Sequence, residues 1–144
     1  MNANQFIATI ADQQVIQAIQ SAEAQTSGEL RVFVTDKFVE DPVSEAWKTF
    51  ARLNMQDTAQ RNAVLIFVGP KARKFAIVAD EGIHHFCKEA FWNQLAHQLS
   101  EGFKAGDYTG SLVRLIEEIG RALAAHFPRL EADANELPNE VLRD

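Results

Sequence analysis

The chain has 144 residues, 47% hydrophobic and 24% charged, with a formal net charge of −6 at pH 7. This length and composition fit a single domain with a core of its own, and the acidic balance argues against non-specific nucleic-acid binding, which needs a concentrated basic surface. The single cysteine, Cys87, excludes an internal disulfide and a zinc cage of thiolates, and no stretch approaches the roughly 20 apolar residues that span a bilayer.

The first segment of the chain predicts an amphipathic helix. Its apolar residues, from Phe6 to Ile19, recur mostly three to five positions apart, which is the spacing of one buried helix face. Gly28, farther on, can take the left-handed geometry that ends a helix. The residues before Phe6 include no basic group, so we do not expect a secretory signal and expect the protein in the cytoplasm.

Three strands are predicted in the middle of the chain. The run from Glu29 to Thr35 is rich in β-branched and aromatic residues, which is typical of a strand. A helix follows it, with Asp41 as the N-cap and Pro42 at its first position. The segments NAVLIFVG and FAIVAD predict two more strands. Because only the short connection GPKARK separates these two, they should be antiparallel neighbours.

Two long helices are predicted after the third strand, from about Lys88 to Gly102 and from about Asp107 to Phe127. The order α-β-α-β-β-α-α predicts an α/β fold, a three-layer α/β/α sandwich with a small mixed sheet. Strands one and two should be parallel, because a helix connects them. We predict one domain at residues 1–128 and an acidic, flexible C-terminal tail at residues 129–144.

This order places several oxygen-bearing side chains at one edge of the sheet. Strand two starts where strand three ends, and strand one starts at the same edge. The residues expected there are Glu29, Asn62, Asp80 and Glu81, with Asp57, Thr58 and Arg61 in the loop above them. An all-oxygen ligand set from Glu29, Asp57, Asn62, Asp80 and Glu81 suits Ca²⁺ or Mg²⁺ better than zinc, with Arg61 and Thr58 supporting the ligands or binding an anion. The alternative is that Asp80 caps the next helix and Glu81 is a solvated loop residue.

Other clusters point less clearly to chemistry. Lys71, Arg73 and Lys74 form a tight basic group in the predicted hairpin turn, and a solvated turn is favoured there over contact with an anionic partner. His85 and Glu89, four positions apart, can share a helix face as a metal or acid–base pair or as two ordinary surface residues. Cys87 is interpreted as a small buried residue.

Four stretches resemble, in order and spacing, the TPM-domain family, the thylakoid-lumen acid phosphatase and photosystem II repair type. They are TSGELRVFV, RNAVLIFVGPKARKFAIVADEGI, the pair Phe91-Trp92 and FKAGDYTGSL. The similarity runs from about Ile16 to Pro128 and is greatest to the short soluble bacterial branch. It implies an α/β/α sandwich, binding of a divalent cation, usually calcium, at acidic loops, and in some members a weak acid phosphatase activity.

The chain departs from the family pattern beside the second strand. The N-G-V start of that strand falls on Asn62-Ala63-Val64, and the E-G after the third strand falls on Glu81-Gly82. Many members carry an aspartate or glycine next to the strand start, where this chain has Arg61 and Ala63. A guanidinium at that place would substitute for a cation or repel one.

Two functions are therefore compatible with the sequence. The first is a Ca²⁺- or Mg²⁺-binding module with at most weak acid phosphatase activity, in which the cation polarises a phosphoryl oxygen and Glu81 or Asp80 serves as ligand or base. The second is a non-catalytic protein–protein interaction domain that uses its acidic edge or tail. In either case we expect a monomer or weak dimer, with no nucleic-acid or membrane partner.

Overall fold

The computed structural model describes residues 1–10, 12–129 and 140–144 of the chain. Its helices and strands are α1 (Ala3–Thr9), α2 (Asp12–Glu23), β1 (Glu29–Val34), α3 (Pro42–Arg52), β2 (Ala63–Gly69), β3 (Lys74–Ala79), α4 (Glu81–His84), α5 (Glu89–Lys104), α6 (Tyr108–His126) and β4 (Leu142–Arg143). Within those ranges, no helix combines the length and the apolar character needed to cross a membrane.

The four strands form one mixed sheet in the order β3-β2-β1-β4. β1 and β2 are parallel, with Glu29 beside Ala63, and β2 and β3 form an antiparallel hairpin, with Val64 beside Ala79. These pairings confirm the predicted parallel pair and the predicted hairpin. The short strand β4 was not predicted, and it adds to β1 in parallel at the other side of the sheet.

Helices cover both faces of the sheet, which confirms the predicted α/β/α sandwich. One face presents Leu30, Val32, Val34, Val64, Ile66 and Val68 to a core shared with α1, α2, α5 and α6. The other face presents Phe33, Leu65 and Phe67 to a second core, where Ala46 and Phe50 of α3 pack. Because both faces are covered, every residue of β1 and β2 is buried, and this explains the almost continuous apolar sequence of β2.

The N-terminal segment forms two helices instead of the single helix predicted. α1 ends at Thr9, the backbone of Ile10 is extended, and α2 begins at Asp12; Ala11 lies outside the described residues. Phe6 and Ile10 are nevertheless buried in the same core as Val15 and Ile19 of α2. Apolar spacing reports which side chains are buried, and it does not reveal a break in the backbone between them.

Most of the predicted tail, residues 130–139, lies outside the described residues. Its last residues are part of the sheet, since β4 pairs with Phe33 and Val34. The carboxylate of Asp144 accepts hydrogen bonds from the hydroxyl of Thr35 at 2.6 Å and the backbone N–H of Asp36 at 2.9 Å. Burial raises the pKa of Asp144, but these hydrogen bonds outweigh it and hold that pKa below its usual value.

The double-sided core leads to a test with two neighbouring residues of β2. Leu65 and Ile66 are fully buried against opposite faces of the sheet. We expect Leu65→Ala and Ile66→Ala each to lower the free energy of unfolding by about 2 to 5 kcal/mol, because each leaves a cavity in a packed layer. The measurement is urea unfolding followed by circular dichroism. Val43→Ala is the control, since Val43 is exposed on α3; a near-neutral result for either core variant would contradict the three-layer packing.

Candidate functional site

The predicted site residues meet at the end of the sheet where β1 and β2 start and β3 ends, which we call the rim. Glu29 is the first residue of β1, Asn62 directly precedes β2, and Asp80 directly follows β3. The N–H of Glu29 donates to the carbonyl of Asn62 at 3.4 Å, and the N–H of Asp80 donates to the carbonyl of Ala63 at 2.9 Å. The strand order therefore brings these backbone positions together, whereas their role as metal ligands stays a prediction.

Arg61 and Asp80 form a bidentate ion pair at the rim. Nε of Arg61 donates to Oδ2 of Asp80 at 2.7 Å, and Nη2 donates to Oδ1 at 3.0 Å. Asp80 is only 4% exposed, so the guanidinium supplies the countercharge that a buried carboxylate requires. The hydrogen bonds and the charge of Asp80 raise the pKa of Arg61. Two parallel bonds of this kind are stronger and more specific in direction than a single contact.

The backbone around this pair is tightly constrained. Arg61 adopts a left-handed conformation with φ of 53°, and its carbonyl accepts a hydrogen bond from the N–H of Gly82 at 2.8 Å. A Cβ atom at Gly82 would lie 2.1 Å from the carbonyl oxygen of Gln60 and 2.5 Å from that of Arg61. Only glycine permits this approach, so the loop before β2 rests directly on the first turn of α4.

Asp80 also caps the helix that follows it. Its Oδ1 accepts a hydrogen bond from the N–H of Glu81 at 2.8 Å, at the start of the four-residue helix α4. The helix cap anticipated as an alternative is thus present in addition to the contact with Arg61. One carboxylate ties together the end of β3, the start of α4 and the loop before β2.

The remaining predicted residues lie around this pair in different environments. The side chain of Glu81 is 76% exposed and lies 3.6 Å from Nη1 of Arg61. Asp57 is exposed in the preceding loop. Thr58 is buried and accepts the N–H of Asn62 at 3.3 Å, while the Asn62 amide donates to the hydroxyl of Ser27 at 3.3 Å. Thr58 and Asn62 therefore stabilise the loop, and Glu81 and Asp57 present carboxylates to solvent.

Glu29 belongs to a buried ionisable cluster that the sequence did not reveal. Glu23, in the last turn of α2, is 5% exposed, and its Oε2 accepts the N–H of Leu30 at 2.9 Å. Burial, followed by a hydrogen bond with Glu29, raises the pKa of Glu23 to about 9. At neutral pH this raised pKa keeps the carboxyl group of Glu23 protonated beside Glu29.

Arg31 is the third member of this cluster. It is 5% exposed, two positions after Glu29 on β1. Burial lowers the pKa of Arg31, and the charges of Glu140, Glu23 and Glu29 counteract this effect. A signal was available in the sequence, because charged residues at alternate positions of an otherwise apolar strand must point to the same face of the sheet.

In the folded rim, the two buried carboxylates predicted as metal ligands already have partners within the chain. Calcium takes about six to eight oxygen ligands, but both oxygens of Asp80 are bonded to Arg61, and Glu29 lies beside Glu23, whose pKa is raised. In the parts of the chain that the structure describes, no three or more His, Cys, Asp or Glu residues are grouped to hold a metal ion. The predicted cation site therefore requires Arg61 to leave Asp80.

Two other predictions can be compared with the structure. His85 lies at the C-terminal cap of α4 and Glu89 begins α5, so the two residues do not share a helix face; both are exposed, as in the alternative of two ordinary surface residues. The reason is that the chain leaves α4 before Glu89 and caps α5 at Lys88. Cys87 is buried, as predicted, and burial raises the pKa of its thiol.

Comparison with known proteins places this architecture among related domains. A family model described as the TPM domain matches residues 2–122 of the chain. The fold also matches the NMR structure of BA42 protein from the psychrophilic bacterium Bizionia argentinensis sp. nov., with a TM-score of 0.84 and 34% sequence identity over 92% of each chain. A search of curated proteins finds no match.

The raised pKa of Glu23 predicts an unusual dependence of stability on pH. In the unfolded chain Glu23 ionises near pH 4.5, whereas in the folded protein its pKa is raised to about 9. The stability that protonated Glu23 contributes is complete below pH 4.5 and is progressively lost as the pH rises towards 9. We expect Glu23→Gln to remove this loss, because the amide keeps a donor for Glu29 and an acceptor for Leu30.

The measurement is the free energy of unfolding of both proteins in urea between pH 5 and pH 8. The advantage of Glu23→Gln should grow with pH by up to about 1.4 kcal/mol per unit. Glu117→Gln, at an exposed position of α6, is the matched control and should follow wild type. Parallel pH profiles for Glu23→Gln and wild type would contradict the raised pKa of Glu23.

The contact at Gly82 gives a second prediction. We expect Gly82→Ala to lower the free energy of unfolding by about 1 to 3 kcal/mol and to displace the loop that carries Arg61, because the new methyl group overlaps backbone oxygens. Gly106→Ala is the comparison. Gly106 has φ of 80° and open space around it, so the substitution costs only the strain of placing alanine in a left-handed backbone conformation. Backbone amide shifts should change at Arg61 and Asp80 in the first variant alone; unchanged shifts there would show that the close approach is unimportant.

Proposed function

We propose a binding function at the rim for this chain, which belongs to the TPM domain family. In this proposal the guanidinium of Arg61 occupies the place where the family resemblance implies a divalent cation. The exposed carboxylates beside it contact a protein partner. The observation that carries this proposal is the bidentate pair of Arg61 with Asp80. It corresponds to the alternative of a non-catalytic interaction domain that acts through its acidic edge.

Electrostatics supports a permanent charge at this place. The pKa of Arg61 is raised by its hydrogen bonds with Asp80, and the negative charges of Glu81 and Asp57 add to the effect. A guanidinium is weakly hydrated and its planar fork matches a carboxylate, so it fills this position without removing a tightly held hydration shell. The protein thereby obtains a structured loop that does not depend on the supply of a metal ion.

The exposed carboxylates indicate the chemistry of the partner. Glu81 projects into solvent beside Arg61, and Asp57 lies in the same loop region. After Asp80 has neutralised Arg61, these two groups leave the rim with negative charge. A protein surface that presents lysine or arginine side chains would complement it, and such charge complementarity contributes to specificity and the rate of association.

A divalent-cation-binding module is the second candidate, and the exposure of Arg61 favours it. The Arg61 side chain is 45% exposed, so it can rotate into solvent without leaving a positive charge buried. Ca²⁺ or Mg²⁺ would then be held by Asp80 and Glu81, with Asp57, Asn62 and Glu29 as the further predicted ligands. A cation held there would supply the polarisation of a phosphoryl oxygen on which weak acid phosphatase activity depends.

A cation titration of two proteins separates the candidates. We expect wild type to show no saturable amide shifts at Asp80 or Glu81 at about millimolar Ca²⁺ or Mg²⁺, the affinity range of weak calcium modules. Arg61→Asn should bind Ca²⁺ at the rim, because it frees Asp80, and asparagine tolerates the left-handed backbone. The measurement is two-dimensional NMR of the metal-stripped proteins.

Arg121→Gln is the matched control, since it removes one surface arginine that is paired with Glu118 on α6. It should respond to the cations as wild type does. If wild type binds a cation at the rim as tightly as Arg61→Asn does, the proposal that Arg61 takes the place of the cation is wrong, and the cation-binding module is the better interpretation. Absence of binding by Arg61→Asn would show that Arg61 is not what keeps a cation away.

A further inference from the structure

A pocket of about 530 Å³ opens at the opposite end of the sheet from the rim. It lies where β2 ends and the turn to β3 begins, and it is closed by α1, the last turns of α5 and the start of α6. We call it the hairpin pocket. Its volume falls within the range of about 300 to 1,000 Å³ typical of small-molecule sites. It also lies at the carboxyl ends of the parallel strands, where open α/β sheets commonly bind ligands.

One wall of the hairpin pocket is aromatic. The ring of Phe103 contacts those of Phe6, Phe75 and Tyr108 edge to face, with centroid distances of 5.8, 5.9 and 5.3 Å. Phe6 is buried beneath this group, while the other three rings are half-buried and line the opening. Rings that hold one another in place form a rigid apolar surface, which suits the flat body of an organic ligand.

The mouth of the hairpin pocket is positively charged. Arg73, Lys74 and Lys104 line it, and the described residues contribute no acidic side chain to the lining, although the chain as a whole carries a charge of −6. The ammonium of Lys74 donates to the carbonyl of Glu40 at 2.7 Å. The ammonium of Lys104 lies 3.8 Å from Oε1 of Glu101, and the Lys104 side chain is 73% exposed. The local charge thus favours an anionic ligand over a cationic one.

Arg73 is the group that is available to bind such a ligand. Its backbone N–H donates to the carbonyl of Pro70 at 3.1 Å, but within the described part of the chain its guanidinium has no hydrogen bond or ion pair. Arg73 also has φ of 55°, a conformation that glycine or asparagine adopts more easily. The turn itself therefore gives no reason for an arginine at this position.

We propose that the hairpin pocket binds a small organic carboxylate with a flat apolar body. The body packs against Phe103 and Tyr108, and the carboxylate pairs with the guanidinium of Arg73, whose donors match it in bidentate geometry. Lys104 adds a positive charge nearby. This site is independent of the function proposed for the rim, because the two lie at opposite ends of the strands.

The test is an amide-shift titration of the full chain with three probes: 3-phenylpropionate, 3-phenyl-1-propanol and inorganic phosphate. We expect saturable shifts from 3-phenylpropionate at Gly69, Arg73 and Phe103. The alcohol should bind about tenfold more weakly or worse, because it cannot form charge-assisted hydrogen bonds. Phosphate alone should give no saturable shift, since it lacks the apolar body.

Two substitutions in the same turn provide a matched pair. Arg73→Asn removes the guanidinium at a position where asparagine fits the backbone, and it should weaken 3-phenylpropionate binding about tenfold. Lys71→Asn removes one charge from the same turn, but Lys71 pairs with Asp36 at 3.5 Å and does not line the pocket. Its affinity should equal that of wild type. Ser100→Phe fills the pocket from α5 and should abolish binding without touching a charge.

Each contrary result overturns the proposal. Equal affinity for the acid and the alcohol would remove the role of charge, and phosphate binding as tight as that of the acid would remove the role of the aromatic wall. An unchanged affinity of folded Arg73→Asn, or an equal loss in Lys71→Asn, would show that Arg73 does not hold the carboxylate. Lack of any saturable shift with 3-phenylpropionate would exclude the site, and Ser100→Phe provides the check if Arg73→Asn does not fold.

Discussion

The parallel pairing of β1 with β2 fixes where the other elements of the fold can lie. Its register runs from Glu29 beside Ala63 to Val34 beside Val68, so the starts of both strands lie at the rim and their ends at the hairpin pocket. Parallel strands need a crossover connection, and α3 supplies it on one face. The other face is then left for α1, α2, α5 and α6, and burial on both sides makes the pair the centre of the fold.

Charge at the rim is organised by the requirement that a buried carboxylate have a partner. The partners of Asp80 are Arg61 and the first backbone N–H of α4, whereas the partner of Glu29 is the protonated carboxyl of Glu23. Both solutions are internal to the chain, because a buried charge without a partner would cost several kcal/mol. A divalent cation would have to compete with Arg61 for Asp80 and displace a proton from Glu23 beside Glu29. The favoured interpretation of the rim as a metal-independent binding surface rests on this competition.

The two ends of the sheet differ in chemistry. The rim exposes the carboxylates of Glu81 and Asp57, and the hairpin pocket exposes the cations of Arg73 and Lys104 beside an aromatic wall. The strands that separate these ends are largely apolar and closely packed, and among the described residues none at the rim lines the hairpin pocket. The two proposed binding surfaces, one for basic partners and one for organic anions, therefore lie at opposite ends of the same sheet.

The sandwich and the position of the rim follow from local patterns in the sequence. The apolar run of β2, the short GPKARK turn and the helix after Pro42 leave few ways to order the strands, and that order alone brings Glu29, Asn62 and Asp80 together. The pairing of the side chains there depends on the folded chain: Arg61 and Asp80 are 19 positions apart, and Glu23 approaches Glu29 from the end of α2. The sequence likewise did not predict the break at Ile10, the addition of β4 or the separation of His85 from Glu89. Local patterns report which residues are buried, while backbone breaks and partners depend on what the rest of the chain places nearby.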